Sequence, residues 1–247
     1  MCPYMISQKR ARNVPHWFDM ASLDGKVVLI TGASGGLGTA VTRAFLASGA
    51  TVAAVASKWP DPPKGATALA ADLSTEAGCA SVVTGTIERF GHVDALMHLV
   101  GGFAGGSSIE ATPLDEFERM MTANFRTALH MLRAVLPPMK QRESGTIAMI
   151  GSKAAIDMPK GLAAYNVSKA AMLALVQTAA AECKQSGVTV NAVLPSTIAT
   201  PAMRAEATEE EASKWVTPES IAELLVWLCG PAGRDVTGAL LPMYGRL

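Results

Sequence analysis

Thr31-Gly32-Ala33-Ser34-Gly35-Gly36-Leu37-Gly38 stands directly after the apolar run Lys26–Ile30 and opens onto a segment, Leu37–Ser48, whose apolar residues recur at three and four. The run predicts a buried strand and the recurrence an amphipathic helix, so the glycines fall at a strand-to-helix junction. Glycine permits positive φ and close backbone approach, and the free N–H groups of a first helical turn attract a pyrophosphate. Gly32, Ser34, Gly35, Gly36, Leu37 and Gly38 are therefore candidate dinucleotide contacts, although the same glycines would also serve a tight turn that binds nothing.

Outward from this junction, β-branched apolar runs alternate with longer helical patterns to the end of the chain. Strands are predicted at Lys26–Ile30, Thr51–Ala56, Thr67–Ala71, Ala95–Leu99, Thr146–Ile150, Thr189–Leu194 and Ala239–Pro242. Helices are predicted at Leu37–Ser48, Thr75–Phe90, Leu114–Leu136, Leu162–Ser186 and Pro218–Leu228, with Ser74 as a cap, Pro113 in a first turn and Gly187 as a stop. Pro60, Pro62, Pro63 and Gly65 forbid a crossover helix between the second and third strands. The alternation predicts a single-domain α/β fold, a Rossmann-like doubly wound parallel sheet of about seven strands with helices on both faces. That domain is expected over residues 23–247, after an extension at 1–22 that is basic at Lys9, Arg10 and Arg12 but lacks the serine-rich pattern of a transit peptide.

The 247 residues suit one core, and the 21 basic and 21 acidic side chains balance, which disfavours nucleic acid or an anionic membrane as partner. Cys2, Cys79, Cys183 and Cys229 are dispersed and offer neither a zinc site nor a disulfide framework, so no metal and a cytoplasmic setting are expected. Although 49% of residues are hydrophobic, Lys169 and Glu223 interrupt the most apolar stretches before spanning length, and no membrane helix is expected.

Tyr165-Asn166-Val167-Ser168-Lys169 carries the chemistry. Residues four apart share a helix face, so the phenol and the ammonium can address one site, and a nearby ammonium would draw the phenol down towards a useful acid–base range. The spacing alone is common in helices, and its company strengthens it. Ser152 closes the preceding strand, and Asn124 lies inside the long helix before that, where a buried amide would seek backbone or water partners. Asn124 could equally be an exposed or helix-bending polar residue, and His98 reads as a structural histidine ahead of an acid–base group.

The place where dinucleotide folds carry an acid for the ribose 2′-hydroxyl is Ala56 here, followed by Ser57 and Lys58. With no carboxylate to repel a 2′-phosphate, and a hydroxyl and an ammonium to bind one, NADP(H) is favoured while NAD(H) stays possible. Lys58 reads just as well as a solvated surface lysine.

From Leu23 onward, the Thr-Gly-x-x-x-Gly-x-Gly turn, Asn124, Ser152, Tyr165 and Lys169 occur in an order and spacing that resemble the short-chain dehydrogenase/reductase superfamily. The resemblance implies that Tyr165 transfers a proton, Ser152 orients a carbonyl or carbinol, Lys169 binds the nicotinamide ribose and tunes the tyrosine, and Asn124 supports a water relay. It further implies cofactor contacts at Asp72 and Leu73, at Gly101 and Gly102, at Pro195 and Thr197, and at Thr200, with a substrate lid over about 200–216. Asp72 could instead merely begin a turn. A homo-oligomer, tetramer or dimer, is expected from the apolar surface of the two long helices, as in that family.

His98-Leu99-Val100-Gly101 and Pro195-Ser196 depart from the family pattern. The run Gly101–Gly106, the stretch Ser152–Asp157, the short 57–65 link and Leu194–Pro201 resemble dihydropteridine reductase. That relative has an aspartate where Ala56 stands and no serine where Ser152 stands, so a small-molecule ketone or alcohol is expected ahead of a quinonoid pterin reduced with NADH. A nucleotide-binding scaffold without turnover is a third reading, against which the full Ser152, Tyr165 and Lys169 set counts. The lid acids Glu206, Glu209, Glu210 and Glu211 argue against a highly anionic substrate unless they simply face water.

Overall fold

The computed structural model describes residues 22–59 and 61–247, so the extension predicted at 1–22 lies outside the described residues apart from Ser22, and so does Pro60. Seven parallel strands form one sheet: β1 (Val27–Thr31), β2 (Thr51–Ala56), β3 (Thr67–Ala70), β4 (Ala95–His98), β5 (Gly145–Ile150), β6 (Val188–Pro195) and β7 (Leu240–Met243). Their order is β3-β2-β1-β4-β5-β6-β7, so the winding direction reverses between β1 and β4. Ligands of open parallel sheets bind at such a reversal, beyond the carboxyl ends of the strands.

Alternate residues of each strand feed two cores, one on each face. Val28 and Ile30 pack with Leu37, Val41 and Phe45 of α1 (Gly36–Ala47) and with Ile221 and Leu225 of α9 (Pro218–Cys229). Leu29 and Leu96 face the other way, onto α2 (Glu76–Phe90), α4 (Thr127–Gln141) and α6 (Ala163–Glu182). Both faces being covered, β1 is buried along its whole length, which is why it reads as an uninterrupted apolar run. At the opposite, amino end of the sheet the buried Asp94 carboxylate accepts the Val27 N–H at 2.8 Å and meets His92 at 2.8 Å and Arg142 at 3.4 Å, tying β1 to β4.

Several local expectations are corrected. The cap of α2 is Thr75, whose hydroxyl accepts the Gly78 N–H, whereas Ser74 turns back to donate to Asp72. Pro113 is the extended residue before α3 (Leu114–Met120) instead of its first turn. α3 and α4 run together through a π-helical turn, Met121–Arg126, and α4 continues past Pro137 and Pro138 to Gln141. The prolines sacrifice N–H donors there, but one further turn carries Met139 into the core with no exposure. Short helices α5 (Ala154–Asp157), α7 (Pro201–Ala205) and α8 (Glu209–Ala212) went unforeseen because four or five residues show no periodicity. The 57–65 link holds no helix among its described residues, as the prolines require.

Candidate active site

The glycine turn leaves the end of β1 at the point where the winding reverses. Gly32 has φ +71° and lies against the backbone of Leu99 and Val100, while a Cβ on Gly38 would stand 2.2 Å from the Gly32 carbonyl oxygen. The turn therefore tolerates no side chain at either position. Gly35 begins α1 without a side-chain cap, leaving the first N–H groups of a twelve-residue helix for a ligand. Bare N–H groups, a backbone stripped of Cβ atoms and the partial positive charge of the helix end together fit a pyrophosphate.

Across the reversal, β5 and α6 bring together the candidate catalytic residues. Ser152 follows β5, is buried, and its Oγ accepts the Ala154 N–H at 3.2 Å, which leaves the hydroxyl proton free to donate. Tyr165 stands on the first turn of α6 with Ser152 beside its phenol. Burial pushes the phenol above its ordinary value, and the Ser152 hydroxyl, which favours the phenolate, only partly offsets this. Lys169 is buried one helical turn on, and burial brings its ammonium down to about 8. Its Nζ donates to the Ile150 carbonyl at 2.8 Å. The expected lowering of the tyrosine by the lysine is thus corrected: the two share a helix face, but the ammonium reaches inward to the end of β5.

Asn124 sits in the π turn, and the widened backbone faces its amide to the loop after β4. Its Oδ1 accepts the Gly102 N–H at 2.9 Å, and its Nδ2 donates to the Gly102 carbonyl at 3.0 Å and to Ser168 Oγ at 3.0 Å. Ser168 in turn donates to the Tyr165 carbonyl, so one amide joins the β4 loop to the helix that bears Tyr165. A Cβ on Gly101 would stand 2.8 Å from Asn124 Oδ1 and 3.1 Å from Lys169 Nζ, which explains a glycine there. His98 is a tie between elements. The Thr127 hydroxyl gives its proton to the Ala123 carbonyl, so it accepts from His98 Nε2 at 3.4 Å, and Nδ1 accepts from Thr31 at 2.9 Å. Burial, with the Lys169 charge, holds this imidazole neutral by lowering it to about 3.

A family model described as short chain dehydrogenase matches residues 26–212. The chain belongs to that family. It is 30% identical over 243 residues to 2-(R)-hydroxypropyl-CoM dehydrogenase of Xanthobacter autotrophicus, covering 89% of this chain and 97% of that one. It is 29% identical over 246 residues to 7alpha-hydroxysteroid dehydrogenase of Escherichia coli, covering 92% and 96%. Among solved structures it resembles 3-ketoacyl-(acyl-carrier-protein) reductase from Brucella melitensis complexed with NADH, at 29% identity and a TM-score of 0.83 over 91% of this chain and 99% of that one. This short-chain dehydrogenase is accordingly an NAD(P)-dependent oxidoreductase of small molecules.

At the end of β2, the Ala33 N–H donates to the Val55 carbonyl at 3.0 Å, which sets the glycine turn against that strand. Ser57 and Lys58 follow immediately and are both exposed. Asp72 is exposed and its carboxylate is occupied by the Ser74 N–H and hydroxyl, which lower it, so it does begin a turn; Leu73 beside it is buried. Beyond β5, the Pro195 carbonyl accepts the Lys153 N–H at 2.8 Å, bringing the end of β6 to the residue after Ser152. Thr197 and Ala199 bond across to Val216, so the 200–216 segment is pinned at its base. Thr200 caps α7 and seats that segment on the glycine turn, since a Cβ on Gly36 would stand 2.9 Å from Thr200 Cβ. The segment's acids have structural partners: Glu211 completes a capping box with Thr208, and Glu210 pairs with Lys214 at 3.1 Å. Both remain exposed, the water-facing alternative for these charges.

The site thus gathers Ser152, Tyr165, Lys169, Asn124, Gly101 and Gly102 at the reversal and ranges Ser57, Lys58, Asp72 and Leu73 outward along the same sheet edge. Sequence reasoning overlooked Ser168, the link between Asn124 and Tyr165, and the placement of Phe103, whose ring meets that of Tyr165 edge to face at 5.0 Å. A hydroxyl at a buried helical position between tyrosine and lysine was the available signal for Ser168. Among the described residues no cluster of metal-binding side chains occurs, and no helix is long and apolar enough to cross a membrane.

Proposed function

We propose that the chain is an NADP(H)-dependent carbonyl reductase or alcohol dehydrogenase, with Tyr165 as the proton donor in the reductive direction. The observation that carries this reading is the half-buried Tyr165 phenol beside the free Ser152 hydroxyl, on the helix that buries Lys169, at the sheet's reversal. Two donors aimed at one point suit a carbonyl oxygen, which gains negative charge as it is reduced. Ser152 holds that oxygen, and Tyr165, kept protonated by burial, gives it a proton. Lys169 binds the nicotinamide ribose and supplies positive charge behind the phenol. Asn124 keeps the β4 loop and α6 in register. The bound nicotinamide supplies hydride to the carbonyl carbon, or takes it from the carbinol in reverse. Both relatives are named as dehydrogenases of hydroxy compounds, which supports an alcohol or ketone substrate.

Fluorescence titration with NADPH and NADH, followed by oxidation of each against a panel of ketones and a quinonoid pterin, tests the proposal. Tight binding without turnover of any member would leave a nucleotide-binding scaffold, and turnover of the pterin alone with NADH would favour the pterin enzyme.

For the 2′-phosphate the supporting features are an exposed Ser57 and Lys58 beside the glycine turn and the absence of a carboxylate at Ala56. Ala56→Asp would place a negative charge against that phosphate, and the NADPH:NADH ratio of kcat/KM is expected to fall by roughly tenfold or more. An unchanged ratio would place 2′ recognition elsewhere.

The pH dependence follows from Lys169. Its lowered value of about 8 means the ammonium is present at neutral pH and lost above that point. Since burial moves the Tyr165 phenol upward, the phenol stays protonated through the same range. Ketone reduction is therefore expected to hold level through neutrality and decline above about pH 8, as a pH profile of kcat/KM would show. A profile level up to about pH 10 would remove the charge of Lys169 from the mechanism.

A cytoplasmic setting, supported by the unpaired Cys79, Cys183 and Cys229, and assembly as a homo-oligomer through the outer surfaces of α4 and α6, where Val167 is exposed, belong to the same proposal. Sedimentation of the purified protein measures the assembly.

A further inference from the structure

We propose that Phe103 is a specificity-determining residue that makes the substrate an aryl ketone or aryl carbinol; this rests on the carbonyl-reducing reading above. Four large apolar side chains stand exposed on the segments that leave the carboxyl edge of the sheet around Tyr165. Phe103 is 68% exposed on the loop after β4, Ile156 52% and Met158 50% between Ser152 and Tyr165, and Met203 41% on α7. Of these, Phe103 touches Tyr165 itself, and an exposed apolar side chain beside donors for a carbonyl oxygen is surface that the rest of the substrate can cover.

Phe103 identifies the kind of group. Its ring meets Tyr165 at a centroid distance of 5.0 Å and an interplanar angle of 67°, so it is braced against the ring that holds the carbonyl oxygen. The loop that carries it is fixed on both sides: Asn124 grips Gly102 before it, and Gly106 after it donates to the Gly161 carbonyl at 2.8 Å, one residue before Leu162. A Cβ on Gly105 would stand 2.0 Å from Leu162 Cδ2, which presses the loop onto the start of α6. A held aromatic ring with most of its surface free, in edge-to-face contact with the Tyr165 ring, suits a flat aromatic substituent on the carbonyl carbon. Ile156, Met158 and Met203 add exposed apolar side chains on the neighbouring segments, and methionine adapts to the outline of a ligand.

The test compares acetophenone with 2-butanone in the wild type, Phe103→Ala and Phe103→Tyr, with saturating NADPH. The wild type is expected to prefer acetophenone. Phe103→Ala should raise KM for acetophenone by roughly tenfold, with kcat within about twofold and the 2-butanone constants unmoved, and Phe103→Tyr should restore the wild-type KM. An equal loss with both ketones, or a fall in kcat without a rise in KM, would overturn the proposal and make Phe103 a support for Tyr165. Ligand-observed NMR of acetophenone on the NADP-loaded protein separates the two readings. If neither ketone is reduced, the redox reading falls. Aryl recognition then stands on binding to the wild type that weakens about tenfold in Phe103→Ala, and it fails if acetophenone does not bind or binds both proteins equally. Because Phe103 is largely exposed, its replacement removes little from the core, and circular dichroism of each variant should match the wild type.

Discussion

Tyr165→Phe is expected to leave ketone reduction at or below the limit of detection, a loss of about a thousandfold or more in kcat, while NADPH binds as it does to the wild type. The substitution keeps the ring, its edge-to-face contact with Phe103 and its place on α6, and removes only the phenolic O–H. Ser152 cannot take over. Its Oγ is fixed by the Ala154 N–H at 3.2 Å, and an alkyl hydroxyl parts with a proton far less readily than a phenol does. Lys169 cannot either, because its Nζ is turned to the Ile150 carbonyl. Fluorescence titration with NADPH and single-turnover oxidation measure the two halves of the expectation separately. A comparable loss of cofactor affinity would mean that the phenol belongs to the nucleotide site, and retained turnover would remove Tyr165 from the chemistry.

The parts of this site legible in the sequence are those whose chemistry is local. The glycine turn is specified by neighbours within one turn of chain, and its junction position follows from two adjacent periodicities, so its residues and its place between β1 and α1 were readable together. Tyr165 and Lys169 share a helix, and a four-residue spacing is enough to put them on one face. What was not readable depends on groups far apart in the chain. The partner of Lys169 is a carbonyl nineteen residues away, and the partners of Asn124 are 22 and 44 residues away. The upward shift of Tyr165 has a related origin, since burial sets it and the Ser152 hydroxyl, thirteen residues away, only partly offsets it. α4 continues past two prolines for a related reason: Met139 finds a fully buried place, and tertiary packing overrides local propensity. The π turn at Met121–Arg126 inserts one residue into a regular helix, which leaves no trace in apolar spacing and yet decides where Asn124 faces.

Asn124→Leu discriminates between two roles for that amide. The side chain is similar in size, but it would leave the half-buried Gly102 N–H and carbonyl without their partner and strip the buried Ser168 hydroxyl of its donor, leaving only its bond to the Tyr165 carbonyl. At about 1 to 3 kcal/mol for each buried polar group left unpaired, and with relaxation softening the sum, a loss of roughly 3 to 5 kcal/mol in stability is expected. Because the amide holds Gly102 against α6, the same change should loosen the backbone beside Gly101 and Lys169, lower affinity for the cofactor and reduce kcat together. Thermal unfolding, NADPH titration and steady-state kinetics read these separately. Asn124→Asp is a stringent companion: it keeps an acceptor for the Gly102 N–H and sets a carboxylate against the Gly102 carbonyl, so it too should destabilise. Were Asn124→Leu to fall in kcat alone, with its melting temperature and cofactor affinity intact, the amide would be serving a water-mediated proton path. A combined loss marks it as the clamp that keeps the loop after β4 and the catalytic helix at a fixed distance.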